Sequence, residues 1–377
     1  MRIAQIAPLF ESVPPKLYGG TERVVDNLTR GLLAEGHEVT VFCSGDSKVP
    51  GEIHAVHPES LRLSTQKILD PVAYQFKALA AVAERAHEFD VIHNHYDYLL
   101  LALERMCSTP LVTTMHGRMD LPDLPIALEG YRDSALVSIS NAQRRPLTRM
   151  NWVKTIQHAL NASEFRFYEK PGRYLAFLGR FSPEKGAHLA IEIALKSGIP
   201  LKMAAKIDEP DREYFEKILR PKIDGKFIEY VGEISEPEKS DFLGNALALA
   251  FPINWPEPFG LVMIEAMACG TPILARPVGS VPEVVTEGIT GFIRESVNEL
   301  AALVVTQIPR LNRRRIRSHV ENRYSIERMT QEYLDVYRNL GKSREGAISE
   351  IKRFAHHRRN FLHSVNGSAD RDTKGIA

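Results

Sequence analysis

Cysteine is scarce: Cys43, Cys107 and Cys269 are the only three in 377 residues. Their odd number and wide spacing exclude a disulfide framework and a closely spaced metal-ligand set, and fit a reducing cytoplasm. Long apolar runs are missing as well. Nothing approaches the ~20 residues that a membrane-crossing helix needs. Met1-Arg2-Ile3-Ala4 opens directly into a strand pattern, without an apolar stretch of signal-peptide length. A charge excess of either sign is also absent. The 48 Lys and Arg against 47 Asp and Glu leave a net charge of +1, so no global field draws the chain to nucleic acid. The G-x-G-x-x-G fingerprint of a dinucleotide site does not occur after the first strand. What remains is of ordinary globular composition, 44% hydrophobic and 25% charged, and long enough for two domains.

The apolar segments that are present alternate between strand and helix periods. Ile3–Ala7, Glu38–Cys43, Phe89–His93, Leu111–Met115 and Ala135–Ile139 read as strands. Helices fall between them, at Glu22–Ala34 with Thr21 as N-cap and Gly36 as stop, and at Pro71–His87. Ser140 and Gln143 form a capping box for a short helix. The pattern turns polar near Ala162–Gly172 and then restarts. Tyr174–Leu178, Leu201–Ala205, Phe227–Val231, Ala246–Phe251 and Ile273–Ala275 are strands of a second unit, with a helix at Ala187–Ser197. Such alternation predicts an α/β fold of two Rossmann-like lobes with parallel sheets, residues 1–165 and 172–325. The amphipathic stretch Ile326–Leu340 is a further helix. Beyond it, residues 341–377 are polar and basic, with Lys352-Arg353-Phe354-Ala355-His356-His357-Arg358-Arg359 at their centre. A solvated, flexible tail fits that composition, and so does contact with an anionic membrane face.

One stretch is chemically unusual. Glu257-Pro258-Phe259-Gly260 leads into an apolar helix, Gly260–Cys269, that carries Glu265 and stops at Gly270. The first N–H groups of that helix, at Gly260, Leu261 and Val262, have no intrahelical acceptor and make an anion site with the helix dipole. A carboxylate among apolar neighbours costs several kcal/mol unless paired. From spacing alone, a core helix whose Glu bonds a nearby Arg fits equally well. In Gly179-Arg180-Phe181-Ser182-Pro183-Glu184-Lys185-Gly186, Ser182 can N-cap a helix with Pro183 at its first position. Arg180 and Lys185 then lie beside a helix N-terminus, where a diphosphate would suit them; a surface turn with solvated charges fits too. Gly19-Gly20 ends the loop after the first strand and lets backbone approach a ligand. His116 ends a strand where open α/β sheets place ligands. His93 and His95 share one face of an extended segment. No further Cys or carboxylate completes a metal site, so no metal is expected there. His95 and Asp97 are expected on the acceptor side. Asp370-Arg371-Asp372 spells D-x-D but lies in the tail with no strand before it.

The Glu257–Glu265 string resembles the E-x7-E signature of retaining glycosyltransferases of the GT-B fold, most closely family 4. Gly179-Arg180 with Glu184-Lys185-Gly186, and the glycine loop, match that family in the expected order, so the resemblance spans roughly residues 1–340. It implies an enzyme that moves a hexosyl group from a nucleotide-diphosphate sugar to an acceptor hydroxyl with retention. A UDP- or GDP-hexose would be the donor, and a sugar, lipid-linked or small-molecule hydroxyl the acceptor. Neither a metal nor a cofactor is implied. Gly19, Gly20, Arg180, Lys185, Glu257, Phe259, Gly260, Leu261 and Glu265 would bind the donor. Glu265 would take the ribose hydroxyls, Glu257 those of the sugar, and His116 would line the reaction centre. The helix at 326–340 would pack back on the first lobe. Two alternatives are a nucleotide-sugar epimerase on the same fold and a non-catalytic two-lobed binder.

Overall fold

The computed structural model describes residues 1–16, 19–62 and 64–342. The basic stretch and the D-x-D of the tail lie outside the described residues. Among the described residues, thirteen strands form two sheets. The first holds β1 (Arg2–Ile6), β2 (Glu38–Ser44), β3 (Glu52–His57), β4 (Val91–Asn94), β5 (Leu111–Thr114), β6 (Leu136–Ser138) and β7 (Trp152–Thr155), in the order β3-β2-β1-β4-β5-β6-β7. The second holds β8 (Leu175–Arg180), β9 (Leu201–Lys206), β10 (Ile228–Gly232), β11 (Ala248–Phe251), β12 (Ile273–Ala275) and β13 (Gly291–Ile293), in the order β10-β9-β8-β11-β12-β13. Every pairing between these strands is parallel. Helices cover both faces, so the inner strands are apolar throughout: Ile3, Ala4, Ile6 and Leu249, Ala250 are fully buried.

Strand order reverses at β1/β4 in the first sheet and at β8/β11 in the second. In parallel sheets, ligands bind outside the strand ends at such switch points. Here those ends carry the loop that reaches Gly19, the His95 and His116 turns, Arg180, and the 252–260 loop. Residues 326–342 are helical. Met329, Tyr333, Leu334, Val336 and Tyr337 from this helix pack against Ile3, Val24, Val25, Leu28 and Val112 of the first lobe. Leu334 and Met329 are fully buried, and each such side chain contributes about 1.5–3 kcal/mol. Among the described residues no helix is long and apolar enough to cross a membrane.

Three local expectations are corrected. The first long helix begins at Gly20, one residue before the expected cap Thr21, and no side chain caps it. Ser182 does not cap either. Pro183–Lys185 is a single 3-10 turn, and the helix Ala187–Ser197 starts afresh from the left-handed Gly186. Ser140 and Gln143 make half of their box. Gln143 N–H donates to Ser140 Oγ at 3.1 Å. The Gln143 side chain is taken up by Ile139 N–H and by the carbonyls of Met115 and Gly117, each at 2.8 Å. It braces the His116 turn and no α-helix forms at 140–143.

Candidate active site

The switch points of the two sheets face each other across a cavity of about 750 Å³. Its second-lobe wall includes Phe251 and residues 257–262. Gly260 sits in the left-handed region (φ 77°), where a Cβ would meet Met263 Cε at 3.0 Å and Phe251 Cζ at 3.1 Å. That turn starts the helix Leu261–Ala268 and leaves the first N–H groups, at the cavity wall, without intrahelical acceptors. Glu257 Oε2 accepts from Lys185 Nζ and from Trp255 Nε1, the latter at 3.1 Å. Lys185 Nζ also lies 4.7 Å from the centre of the Trp255 ring. Gly279 explains how Glu257 is held. A Cβ there would lie 2.4 Å from both the N and the O of Glu257. Because the residue is glycine, Ser280 N–H can donate to Glu257 O at 2.9 Å and Ser280 Oγ to Phe259 O at 2.8 Å.

Arg180 lies on the same wall, with Glu184 2.6 Å, Asp211 3.6 Å and Asp208 3.7 Å from its guanidinium nitrogens. Glu265 is buried. Lys239 Nζ donates to its Oε1 at 2.9 Å, and Arg23 Nε stands 3.8 Å from the same atom. Burial alone would raise the Glu265 carboxyl, but the Lys239 and Arg23 charges outweigh it and hold it below the ordinary carboxylate value. Arg23 belongs to the first lobe, on helix Gly20–Ala34, and also pairs with Glu236 at 2.5 Å. It therefore ties the lobes together at the cavity edge. A second tie runs from Glu283 to the N–H groups of Asn141 (2.9 Å) and Ala142 (2.7 Å).

The first-lobe wall is made by Gly19, Gly20, Glu11, Glu22, His116 and His158. A Cβ on Gly20 would touch Leu261 Cδ1 at 3.4 Å, so the lobes meet closely there. Burial raises Glu22 to about 7. The same cause pushes His116 down to about 3 and His158 well below the ordinary imidazole value. The two rings stack at 5.2 Å, and Phe259 meets His158 edge-on at 4.9 Å.

The structure thus brings Gly19, Gly20, His116, Arg180, Lys185, Glu257, Phe259, Gly260, Leu261 and Glu265 to one cavity. It does not place His95 and Asp97 there. His95 is buried behind His116, bonded to it and to Gln5. Asp97 Oδ1 accepts from the N–H groups of His116 (2.8 Å) and Gly117 (3.3 Å) and shapes their turn. His93 is no ligand either, since its two ring nitrogens bond Tyr337 and Thr114, each at 2.7 Å. Among the described residues no group of His, Cys, Asp and Glu is arranged to hold a metal ion. Sequence reading missed Arg23, His158, Lys239, Trp255 and Gly279. Arg23 and Trp255 adjoin motif residues, which was the available signal; Lys239 and Gly279 become site residues only through the fold.

Residues 18–163 match the family model "Glycosyltransferase Family 4", and residues 162–308 match "Glycosyl transferases group 1". The chain belongs to this glycosyltransferase family. The glycosyltransferase is 27% identical over 349 residues to a glycogen synthase of Mycobacterium tuberculosis, covering 74% of this chain and 79% of that one. It is 25% identical to a D-inositol 3-phosphate glycosyltransferase of Frankia alni, covering 73% and 82%. Among solved structures it superposes on AviGT4, a glycosyltransferase of avilamycin A biosynthesis, with a TM-score of 0.69 at 24% identity, covering 90% and 98%. For Anabaena HepE in complex with UDP-glucose the TM-score is 0.67 at 18% identity, covering 90% and 100%. The structural matches show the two-lobed GT-B fold.

Proposed function

We propose that this glycosyltransferase moves a hexosyl group from a nucleoside-diphosphate hexose to an acceptor hydroxyl, with retention of configuration and without a metal ion. The observation that carries this reading is the second-lobe wall. It sets Arg180, Lys185 and an open helix N-terminus beside two carboxylates, Glu257 and Glu265. The second lobe would bind the donor and the first lobe the acceptor. Glu265 accepts from the ribose hydroxyls, and Glu257 from hydroxyls of the sugar. As the bond from the anomeric carbon to the phosphate oxygen breaks, negative charge grows on the diphosphate. Arg180, Lys185 and the N–H groups at Leu261 and Val262 stabilise it there, which is the task a divalent ion performs elsewhere. The phosphate binds Arg180 in exchange for Glu184, Asp208 and Asp211, its partners in this structure. With no carboxylate assigned as a nucleophile, the acceptor oxygen attacks from the side the diphosphate leaves, and its proton passes to a departing phosphate oxygen. A UDP-hexose is the first donor to test, since a structural neighbour is described with UDP-glucose.

The experiment is turnover of UDP- and GDP-hexoses in EDTA against a panel of sugar, lipid-linked and small-molecule acceptors, with the anomeric configuration of the product read by NMR. Transfer that survives EDTA and retains configuration is the expected result. An inverted product, or activity lost on chelation and restored by Mn²⁺, overturns the corresponding half of the mechanism. Glu265→Ala should weaken nucleotide and donor alike by roughly 1.5–3 kcal/mol, and unchanged nucleotide binding removes the ribose role.

A further inference from the structure

A buried line of hydrogen bonds runs from the helix at 326–342 to the cavity. Gln5 Nε2 donates to Tyr337 Oη at 3.2 Å. Gln5 Oε1 lies 2.7 Å from His95 Nε2. His95 Nδ1 lies 2.9 Å from His116 Nε2. The line ends at His116 Nδ1, which is buried without a protein partner, on a residue that lines the cavity. His158, stacked on that ring, also has a buried Nδ1 without a partner.

A neutral imidazole has one N–H and one bare nitrogen. Burial keeps both His95 and His116 neutral. With the Gln5 carboxamide placed as it is, its Oε1 only accepts, so His95 Nε2 carries the hydrogen. His95 Nδ1 is then bare and accepts from His116 Nε2–H. That leaves His116 Nδ1 as a buried lone pair without a partner, on a residue that lines the cavity. We propose that Gln5 and His95 are positioning residues which hold His116 in this tautomer, so that its Nδ1 is an obligate acceptor for a hydroxyl of the transferred sugar. The proposal rests on the reading of the cavity as a glycosyl-transfer site. A lone pair there also suits the reaction. An N–H in its place would set the positive end of its dipole toward an anomeric centre that becomes cationic. The opposite orientation of the Gln5 carboxamide would reverse every link and make Nδ1 a donor. The tautomer is therefore the decisive observable.

The test is a long-range ¹H–¹⁵N correlation spectrum of the full chain labelled with ¹⁵N-histidine, in which His116 is assigned by loss of its signals in His116→Gln. Wild-type protein should show a bare Nδ1 and a protonated Nε2 at His116. Gln5→Met, which removes the acceptor, should give mixed tautomers and lower kcat about tenfold, with little change in KM for the donor. Gln5→Glu keeps an acceptor at that point and should restore both the spectrum and the turnover. A protonated Nδ1 in the wild type overturns the proposal, and so does a tautomer indifferent to Gln5→Met. If that variant does not fold, the wild-type spectrum still decides. The spectrum needs no turnover, so the expected tautomer in a protein that transfers no sugar would refute the function and spare the relay.

Discussion

Arg180 and Lys185 act, in the proposed mechanism, on charge that exists fully only in the transition state. Removing one such group typically costs about 10²–10³ in kcat. Arg180→Ala and Lys185→Ala should therefore lower kcat far more than they raise KM for the donor, and the double variant should lose less than the product of the two. Wild-type kcat in both variants at saturating donor would remove them from the chemistry. Glu22 supports a separate prediction, about stability. Burial raises it from 4.5 to about 7. Between those values the folded chain holds a proton that the unfolded chain has lost, so stability falls as pH rises through this window. Glu22→Gln should remove that slope and gain on the wild type above it, by at most about 3 kcal/mol. Urea unfolding at several pH values checks this, and parallel curves for the two proteins would contradict it. At this scale the four charged residues Arg180, Lys185, Glu257 and Glu265 were legible, because each lies in a short string of unusual chemistry. What they touch was not. Lys239 and Arg23 reach Glu265 from 26 residues before it and from the other lobe; nothing local marks Lys239, and the place of Arg23 beside the glycine loop does not reveal its partner.

Among the elements, legibility followed burial. Central strands are covered on both faces and read as unbroken apolar runs. The strands missed were β3, β7 and β13, all at sheet edges. Glu52–His57 and Trp152–Thr155 keep polar, partly exposed residues, and β13 opens on Gly291 and leaves Ile293 half-buried. Turns were misjudged for another reason. Thr21, Ser182 and Ser140 have the chemistry of caps, but backbone geometry or tertiary bonds took precedence. The turn at Gly279 shows how much a loop can carry. An alanine there must take a left-handed conformation, costing about 1–3 kcal/mol. Its methyl must also move the Glu257 backbone. Gly279→Ala should lower Tm by roughly 2–4 °C for each kcal/mol lost, and should cost more in kcat at 25 °C than the unfolded fraction explains. A variant with full kcat and only a lower Tm would show that Glu257 tolerates the shift.

On the scale of the whole molecule, polar ties join the lobes at the cavity edge through Arg23 and through Arg62, which stands 3.7 Å from Glu233. Arg23→Met removes its pairs with Glu236 and Glu265 but leaves Lys239 on Glu265 and the Arg62–Glu233 and Glu283 ties in place. The expected result is a larger radius of gyration by X-ray scattering at low salt. Raising salt should narrow the gap between variant and wild type, because screening weakens the pair. Identical scattering of the two proteins would show that the ion pair does not hold the lobes. The helix at 326–342 has a different consequence, one that concerns time. Tyr337 bonds Gln5 across 332 positions of sequence, and Tyr333 and Leu334 complete the core around Ile3. A ribosome makes residues 1–325 first. While it does, the earliest strands to emerge lack part of their apolar cover, and the second sheet can close before the first core is filled. Gln5 and His93, which stand behind the cavity, gain their Tyr337 partner only once residue 337 has been made.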